Sequence, residues 1–427
     1  MEIGVFGGGF VGITLAAHLL KSSEVKVTVV DTSTEKLRHF QQKRFMVSEP
    51  GLDQILVQAL DSSRLRFETK ASNMDAIFIC IGTPKELSYD EQIASIVSVA
   101  LVAAKSLNDG GILLLRSTVP VGTTVQVKKQ LVSTGYRNIS VCFAPERTAE
   151  GVALEELERL PQILGAENPY DLTTSSDFLR KMGFNVIACG NTQTAEMVKL
   201  VCNTWRDTTF AYANEVALLC ESRGISAGEV IEMANRDYSR SNVPRPGHVG
   251  GPCLSKDAYI LMSSFPGREV SLIRTARTIN ESIMVQIFSQ LLSRFSHQHK
   301  IVIQFIGASF KGKPATNDVR KGVVEDFIDL QVAQSSDLSP KLFMNVWDDS
   351  LDLKDLTFFG EYIKEYGPEQ NPDVVIFGND SEWVMSESVK SFVQGLDSRT
   401  LIIDLWGVTR DWNPIMCEVY ALGENTL

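Results

Sequence analysis

A chain of 427 residues with 44% hydrophobic and 22% charged residues is too long for one ordinary domain and too apolar to stay disordered; two or three units of roughly 100–200 residues fit it. Its formal charge of −11 argues against an extended nucleic-acid surface, leaving local basic pockets for small anions. Seven cysteines with no C-x-x-C pair suit a reducing compartment, and five histidines without zinc-type spacing predict no metal site.

The chain opens on an apolar strand, Glu2 to Phe6, that runs into Gly7-Gly-Gly-Phe-Val-Gly12 and an apolar helix from Ile13 to Leu20. A second strand, Val25 to Asp31, ends in an acid 19 residues after Gly12. This is the context a dinucleotide fingerprint requires. Gly7 permits the tight turn, Gly9 lets the backbone approach a pyrophosphate, and Gly12 lets helix and strand pack closely. Phe10 and Val11 lie where the helix N-terminus meets the phosphates. Asp31 accepts from ribose hydroxyls and repels a 2′-phosphate, which selects NAD over NADP. A glycine-rich turn without a ligand is the competing reading of the glycines alone.

Further strands are predicted within Ala76–Pro84, Gly111–Pro120 and Ile139–Glu146, each ending in a turn-forming or polar cluster. Ligands collect at such strand ends, so Thr83, Thr118 and Glu146 are candidates to line one crevice. The apolar run from Ile93 to Ala104 is too short and too broken by serine to span a bilayer, and Met1-Glu-Ile-Gly-Val-Phe carries no basic n-region; the expectation is a cytoplasmic protein that binds no membrane and no nucleic acid.

From Thr192 to Gly224 apolar residues recur at helical spacing, with Gly224 as the cap. Lys199 and Asn203 lie one turn apart on this helix, as a functional pair or as part of a solvated stripe. Cys253 follows a loop, Asn242-Val-Pro-Arg-Pro-Gly-His-Val-Gly-Gly-Pro252, rich in proline and glycine. Lys256 and Asp257 open the next predicted helix. A thiolate beside a cation and a helix start forms more easily, although a cysteine in such a loop also serves structure alone. A second helical stretch ends near Gln298. New strands follow at Lys300–Gly307, Leu342–Trp347, Asp373–Phe377 and Leu401–Leu405, and the loop Ser309–Arg320 carries cations suited to phosphate or simply to solvent.

The order of motifs resembles the nucleotide-sugar 6-dehydrogenases, the UDP-glucose/GDP-mannose dehydrogenase family. The segments that carry it are the glycine fingerprint, Glu49-Pro-Gly-Leu52, Gly82-Thr-Pro84, Ser117–Thr123, Ala144-Pro-Glu-Arg-Thr-Ala-Glu-Gly151, Ala195-Glu-Met-Val-Lys199 with Asn203, and Gly250-Gly-Pro-Cys-Leu-Ser-Lys-Asp257. The resemblance implies an α/β fold with two Rossmann-like doubly wound domains joined by a central α-helical domain with a long helix. Its divisions fall at residues 1–190 for NAD, 191–298 for dimerisation and the cysteine loop, and 299–427 for the UDP-sugar. It further implies a homodimer or higher homo-oligomer, and a four-electron oxidation of the sugar C6 alcohol to a carboxylate, with NAD as oxidant.

By the same match Cys253 forms the thiohemiacetal and thioester, and Lys199 and Asp257 assist proton removal. Lys199 and Asn203 stabilise the oxyanion, Glu150 assists hydrolysis, and Thr118 joins the catalytic group. Asp31, Lys36, Thr83, Thr118, Glu150, Lys256 and Arg320 look like NAD contacts beside the glycine turn. Glu146, Arg147, Lys199, Asn203, Asn242, Pro246, Gly250 and Lys311 look like substrate contacts.

Arg147 stands where UDP-glucose enzymes typically have an aromatic. With Leu157-Glu-Arg-Leu-Pro-Gln-Ile163 and the Phe310–Arg320 loop, it resembles the N-acetylhexosamine branch, especially the UDP-N-acetylmannosamine dehydrogenases, with UDP-N-acetylmannosamine or its glucosamine epimer as the implied substrate. UDP-glucose oxidation, a non-catalytic nucleotide-sugar binder and a two-electron dehydrogenase of the 6-phosphogluconate type are the alternatives. Two departures stand out. Lys321-Gly322 replaces the usual Gly-Ser, and Gly378-Asn-Asp380 stands where threonine and histidine are common.

Overall fold

The computed structural model describes residues 1–334 and 340–427. Tertiary contacts divide the chain into two units, Met1–Cys202 with Tyr259–Arg268, and Asn203–Ala258 with Glu269–Leu427. Each is built on a sheet that is predominantly or wholly parallel.

In the first unit the strands are β1 (Glu2–Phe6), β2 (Lys26–Val30), β3 (Leu65–Glu68), β4 (Met74–Ile79), β5 (Leu107–Leu115), β6 (Ser140–Phe143), β7 (Gln162–Ala166) and β8 (Val186–Ala188). Their order is β3-β2-β1-β4-β5-β6-β7-β8, the doubly wound arrangement with two added strands, of which β7 runs antiparallel to β6. Continuous apolar runs such as Ala76-Ile-Phe-Ile79 form the central strands because helices cover both faces of a parallel sheet. Val5, Phe78 and Leu114 enter one core layer, and Ile77, Leu113 and Phe143 the other.

The second unit holds β9 (Lys300–Ile306), β10 (Lys341–Trp347), β11 (Ile363–Tyr366), β12 (Val374–Phe377), β13 (Leu401–Asp404) and β14 (Glu418–Ala421). Their order, β11-β10-β9-β12-β13-β14, repeats the same winding with every pair parallel. At its switch point Gly307 and Gly378 approach so closely that a Cβ on Gly378 would lie 2.1 Å from the Gly307 carbonyl oxygen. The expected two Rossmann-like sheets with intervening helices are therefore present.

The long helix runs from Thr192 to Glu221, followed by Gly224 at φ +63°. One boundary differs from expectation. The helix after the cysteine loop begins at Gly251 rather than Lys256 and extends to Ser263, so Cys253 sits in its first turn instead of the preceding loop. The glycine pair hides this start from a sequence reading, because glycine weakens any helical signal. The dinucleotide helix likewise begins at Phe10, directly after Gly9. Among the described residues no helix is long and apolar enough to cross a membrane.

Candidate active site

The turn after β1 has the geometry its glycines predict. Gly7 holds φ +110°, and a Cβ there would lie 2.4 Å from the Cys80 carbonyl oxygen; one on Gly12 would lie 1.9 Å from the Gly7 oxygen. By contrast a Cβ on Gly9 would meet nothing within 4 Å, and no side chain caps the Phe10–Leu19 helix behind it. The helix N-terminus thus faces open space with its amides and dipole available to an anion.

Asp31 lies beside this turn, accepting from the Gly8 amide at 2.8 Å, the Ser33 amide at 2.9 Å and Lys36 Nζ at 3.0 Å. Burial pushes its carboxyl up, but the two amides and Lys36 hold it below the usual carboxylate range. An ionised carboxylate at this position suits ribose hydroxyls and disfavours a 2′-phosphate. An open pyrophosphate cradle beside a fixed carboxylate fits NAD. Across the strand ends, Thr83 Oγ1 donates to the Thr118 carbonyl at 2.5 Å, so the structure brings these two predicted residues together.

The loop after β6 is organised by carboxylates. Glu146 Oε1 accepts from the Arg147 and Thr148 amides, each at 2.7 Å, while Arg116 donates to Oε2 through Nε at 3.1 Å and Nη2 at 2.5 Å. Burial raises the Glu146 carboxyl, but the Arg116 guanidinium and the Thr148 amide outweigh it and hold the group ionised. Glu156 Oε2 takes the Ala149 amide at 2.7 Å. Glu49 takes the amides of Gly151 and Ala153, giving the Glu49-Pro-Gly motif its role: it caps the helix Ala153–Arg159 from outside. Arg147 reaches the Pro161 carbonyl at 3.4 Å and Cys202 Sγ at 3.9 Å. Sequence reasoning missed Arg116. A cation at the end of the apolar run Ile112-Leu-Leu-Leu115 was the available signal, since a buried charge requires a partner.

In the second unit Asp257 is fully buried. Its Oδ2 accepts from Asn203 Nδ2 at 2.6 Å and its Oδ1 from Lys256 Nζ at 2.6 Å. Burial lowers the Lys256 ammonium, but the Asp257 carboxylate and the Cys253 sulfur outweigh that and raise it overall. Cys253 is exposed, four residues before Asp257 on one helix, with Lys256 within electrostatic range. A cation and the first turn of a helix both favour negative charge on sulfur. The loop is tightly constrained: a Cβ on Gly250 would lie 1.9 Å from the Lys321 carbonyl oxygen, which accepts the Gly251 amide at 2.8 Å.

Both departures acquire physical accounts. Lys321 holds φ +51°, a left-handed conformation that favours glycine, and its ammonium is fastened to Glu325 at 3.0 Å and Asp329 at 2.8 Å. Asn379, wholly buried, donates to the Ser309 carbonyl at 3.1 Å and its Oγ at 3.0 Å, tying down the loop that carries Lys311 and Arg320. Lys311 Nζ lies 5.6 Å from the Phe310 ring centroid, and Arg320 is exposed and forks onto Asp318. Asn242 is exposed, and Pro246 lines a cleft of about 530 Å³ with Arg245, Leu405 and Arg410.

A doubly wound sheet with an NAD-type turn, followed by a helix carrying a thiol, a cation and a buried carboxylate, defines an NAD-dependent dehydrogenase. The chain belongs to the UDP-glucose/GDP-mannose dehydrogenase family and is a nucleotide-sugar dehydrogenase: residues 1–182 match the family's NAD binding domain and residues 193–282 its central domain. It is 31% identical over 343 residues to a UDP-N-acetyl-D-mannosamine dehydrogenase of Pyrococcus horikoshii, covering 77% of this chain and 80% of the relative. It is 29% identical over 345 residues to the Methanococcus maripaludis protein of the same name, covering 79% and 78%. The solved structure of a UDP-D-ManNAc dehydrogenase from Pyrococcus horikoshii superposes with a TM-score of 0.83 at 25% identity, over 99% of each chain.

Proposed function

We propose that the protein oxidises the C6 alcohol of UDP-N-acetylmannosamine to the carboxylate in two successive steps through a covalent bond to Cys253. The observation that carries this reading is the Cys253–Lys256–Asp257–Asn203 cluster, which pairs an exposed thiol with a buried carboxylate held on both oxygens. NAD, when bound by the Gly7–Gly12 turn, Asp31 and Lys36, supplies the hydride acceptor for each oxidation; Thr83, Thr118, Lys256 and Arg320 complete its contacts.

Asp257 and Lys199 take the C6 hydroxyl proton, directly or through water, as the alcohol becomes an aldehyde. The Cys253 sulfur then adds to the aldehyde carbon, and Lys199 and Asn203 donate to the oxyanion of the adduct. Loss of the second hydride leaves a thioester. Water, oriented by Glu150, attacks its carbonyl, the C–S bond breaks, and the thiolate returns as the carboxylate leaves. Covalent capture keeps the reactive aldehyde from escaping between the steps.

Residues 1–190 hold the dinucleotide, 191–298 carry the cysteine loop and 299–427 hold the UDP moiety, with Asn242, Pro246, Gly250 and Lys311 in contact with substrate. Arg147, on the loop shaped by Glu49, Glu146 and Glu156, offers donors to an acetamido carbonyl, which supports the N-acetyl branch, as do the names of the relatives. Trp205, Tyr212 and Leu219 are exposed at seven-residue spacing on the long helix, which supports a homodimer.

The deciding experiment follows absorbance at 340 nm to completion with UDP-N-acetylmannosamine, UDP-N-acetylglucosamine, UDP-glucose and GDP-mannose. Two NADH per sugar, with UDP-N-acetylmannosamine preferred, are expected from the wild type. A Cys253→Ala protein that still yields two NADH per sugar rules the covalent route out.

A further inference from the structure

Glu196 follows Ala195 in the long helix, one turn before Lys199, and the reaction above leaves it unused. It is completely buried. Its Oε2 accepts from the Gly122 amide at 2.6 Å, and its Oε1 accepts from the Thr124 amide at 2.8 Å and the Thr124 hydroxyl at 2.6 Å. Gly122, at φ +98°, is the cap residue of the helix Thr123–Ser133 and has no side chain with which to cap it. Glu196 supplies the missing cap from a different helix, placing an acceptor and a negative charge where the orphan amides and the dipole favour them.

Gly122 ends the loop that begins at Thr118, and every turn of that loop is pinned. Thr83 holds the Thr118 carbonyl, Thr123 Oγ1 the Pro120 carbonyl at 2.6 Å, Tyr89 the Val121 carbonyl at 3.0 Å and Ser264 the Val121 amide at 3.1 Å. Of these anchors only Glu196 lies on the helix that carries Lys199. We infer that Glu196 is a positioning residue: it locks the Lys199 helix to the Thr118–Gly122 loop, so that the proton-handling lysine and the cofactor-side threonine keep one register. The inference rests on the functional reading above, which gives Lys199 and Thr118 their roles.

A buried carboxylate of this kind is a costly device for structure alone. Burial lifts the Glu196 carboxyl to about 7 against the pull of the Thr124 and Gly122 donors, and Glu167 adds to the rise. Tyr89, beside Gly122, and Glu167 are the titratable neighbours in electrostatic contact with it. The ionised form takes all three donors. A protonated carboxyl presents a hydroxyl to at least one of them, so the lock loosens as pH falls through this range.

The test uses Glu196→Gln and Thr124→Val in the full-length enzyme, with folding checked by thermal denaturation and NAD affinity by fluorescence. Glu196→Gln keeps one oxygen but turns an NH₂ toward the helix N-terminus; Thr124→Val removes only the hydroxyl donor. Expected are a fall in kcat of roughly tenfold or more for Glu196→Gln and a smaller fall for Thr124→Val. KM for the nucleotide sugar and NAD affinity stay within about twofold, and the acidic limb of the kcat–pH profile near neutrality disappears in Glu196→Gln. Folded Glu196→Gln with wild-type kcat and an unchanged pH profile overturns the inference. So does a parallel loss of kcat, NAD affinity and thermal stability, which marks a general fold defect. Wild type inactive on every nucleotide sugar is a separate outcome, which removes the functional reading itself.

Discussion

Asp257 and Asn203, 54 residues apart in sequence, meet through a hydrogen bond of 2.6 Å from the Asn203 amide to the Asp257 carboxylate, buried from solvent. Together with Lys256 on the other oxygen, this fixes the carboxylate in one orientation. A carboxylate held so firmly pays its ordering cost on folding rather than during turnover, which suits the base of the proposed reaction.

Asp257→Asn is therefore expected to lower kcat by roughly 10²–10⁴-fold, the range in which positioned acid–base groups act. Asn203→Ala leaves Lys256 in place and is expected to cost about 10²-fold. Steady-state NADH formation measures both. An Asp257→Asn enzyme within threefold of wild type removes Asp257 from the chemistry.

The proposed function assigns cofactor choice to Asp31. Asp31→Asn removes the negative charge and with it the repulsion of a 2′-phosphate; because the Gly8 and Ser33 amides bond to different oxygens, the asparagine keeps an oxygen acceptor for one of them. The ratio of kcat/KM for NAD over NADP is expected to fall by roughly 10-fold or more, measured with both cofactors at saturating sugar.

Arg116 and Glu146 form a pair with side chains 1% and 8% exposed. Arg116→Ala strands an ionised carboxylate in the interior, and urea unfolding at pH 7 is expected to register a loss of about 3–5 kcal/mol. Because the folded Glu146 carboxyl lies below its ordinary value, the contribution of the pair is present above the unfolded carboxylate range and lost as pH falls through the folded one. The difference between wild type and variant should therefore shrink in acid.

His18 gives a second pH signature. Burial, aided by Lys21 and Arg116, lowers its imidazole to about 4, and Nε2 donates to the Met182 carbonyl at 3.1 Å. Below pH 6.5 the unfolded chain takes up a proton that the folded protein refuses until about pH 4, so stability falls across that window, by about 3 kcal/mol in all. His18→Leu should unfold in urea with a flatter pH dependence between pH 7 and 4.5. Parallel curves for the two proteins would show that His18 does not titrate this way.

The strands were legible because a parallel sheet buried on both faces demands unbroken apolar runs, and Ala76-Ile-Phe-Ile79 and Val374-Val-Ile-Phe377 have that character. The glycine turn was legible because a Cβ at Gly7 or Gly12 collides with backbone atoms. The start of the Cys253 helix was hidden by Gly250-Gly251 and Pro252. Partnerships that cross long stretches of sequence, such as Arg116 with Glu146, Glu49 with Ala153 and Glu196 with Thr124, left only isolated charges in the sequence. Periodicity records which face is buried and is silent about which charges meet there. Lys321 shows the converse: a residue read as a departure keeps the backbone conformation that a glycine would adopt, with its side chain fastened by Glu325 and Asp329.

The loop from Arg147 to Ala153 owes its path to Glu49, Glu146 and Glu156, which grip its amides. None of these three acids is among the side chains at 147, 148 and 150. The path of the loop is thereby set apart from the side chain that it presents at 147. On the proposed function, descendants of this chain could exchange the side chain at 147, and so change which sugar substituent is welcomed, while inheriting an unaltered backbone mould.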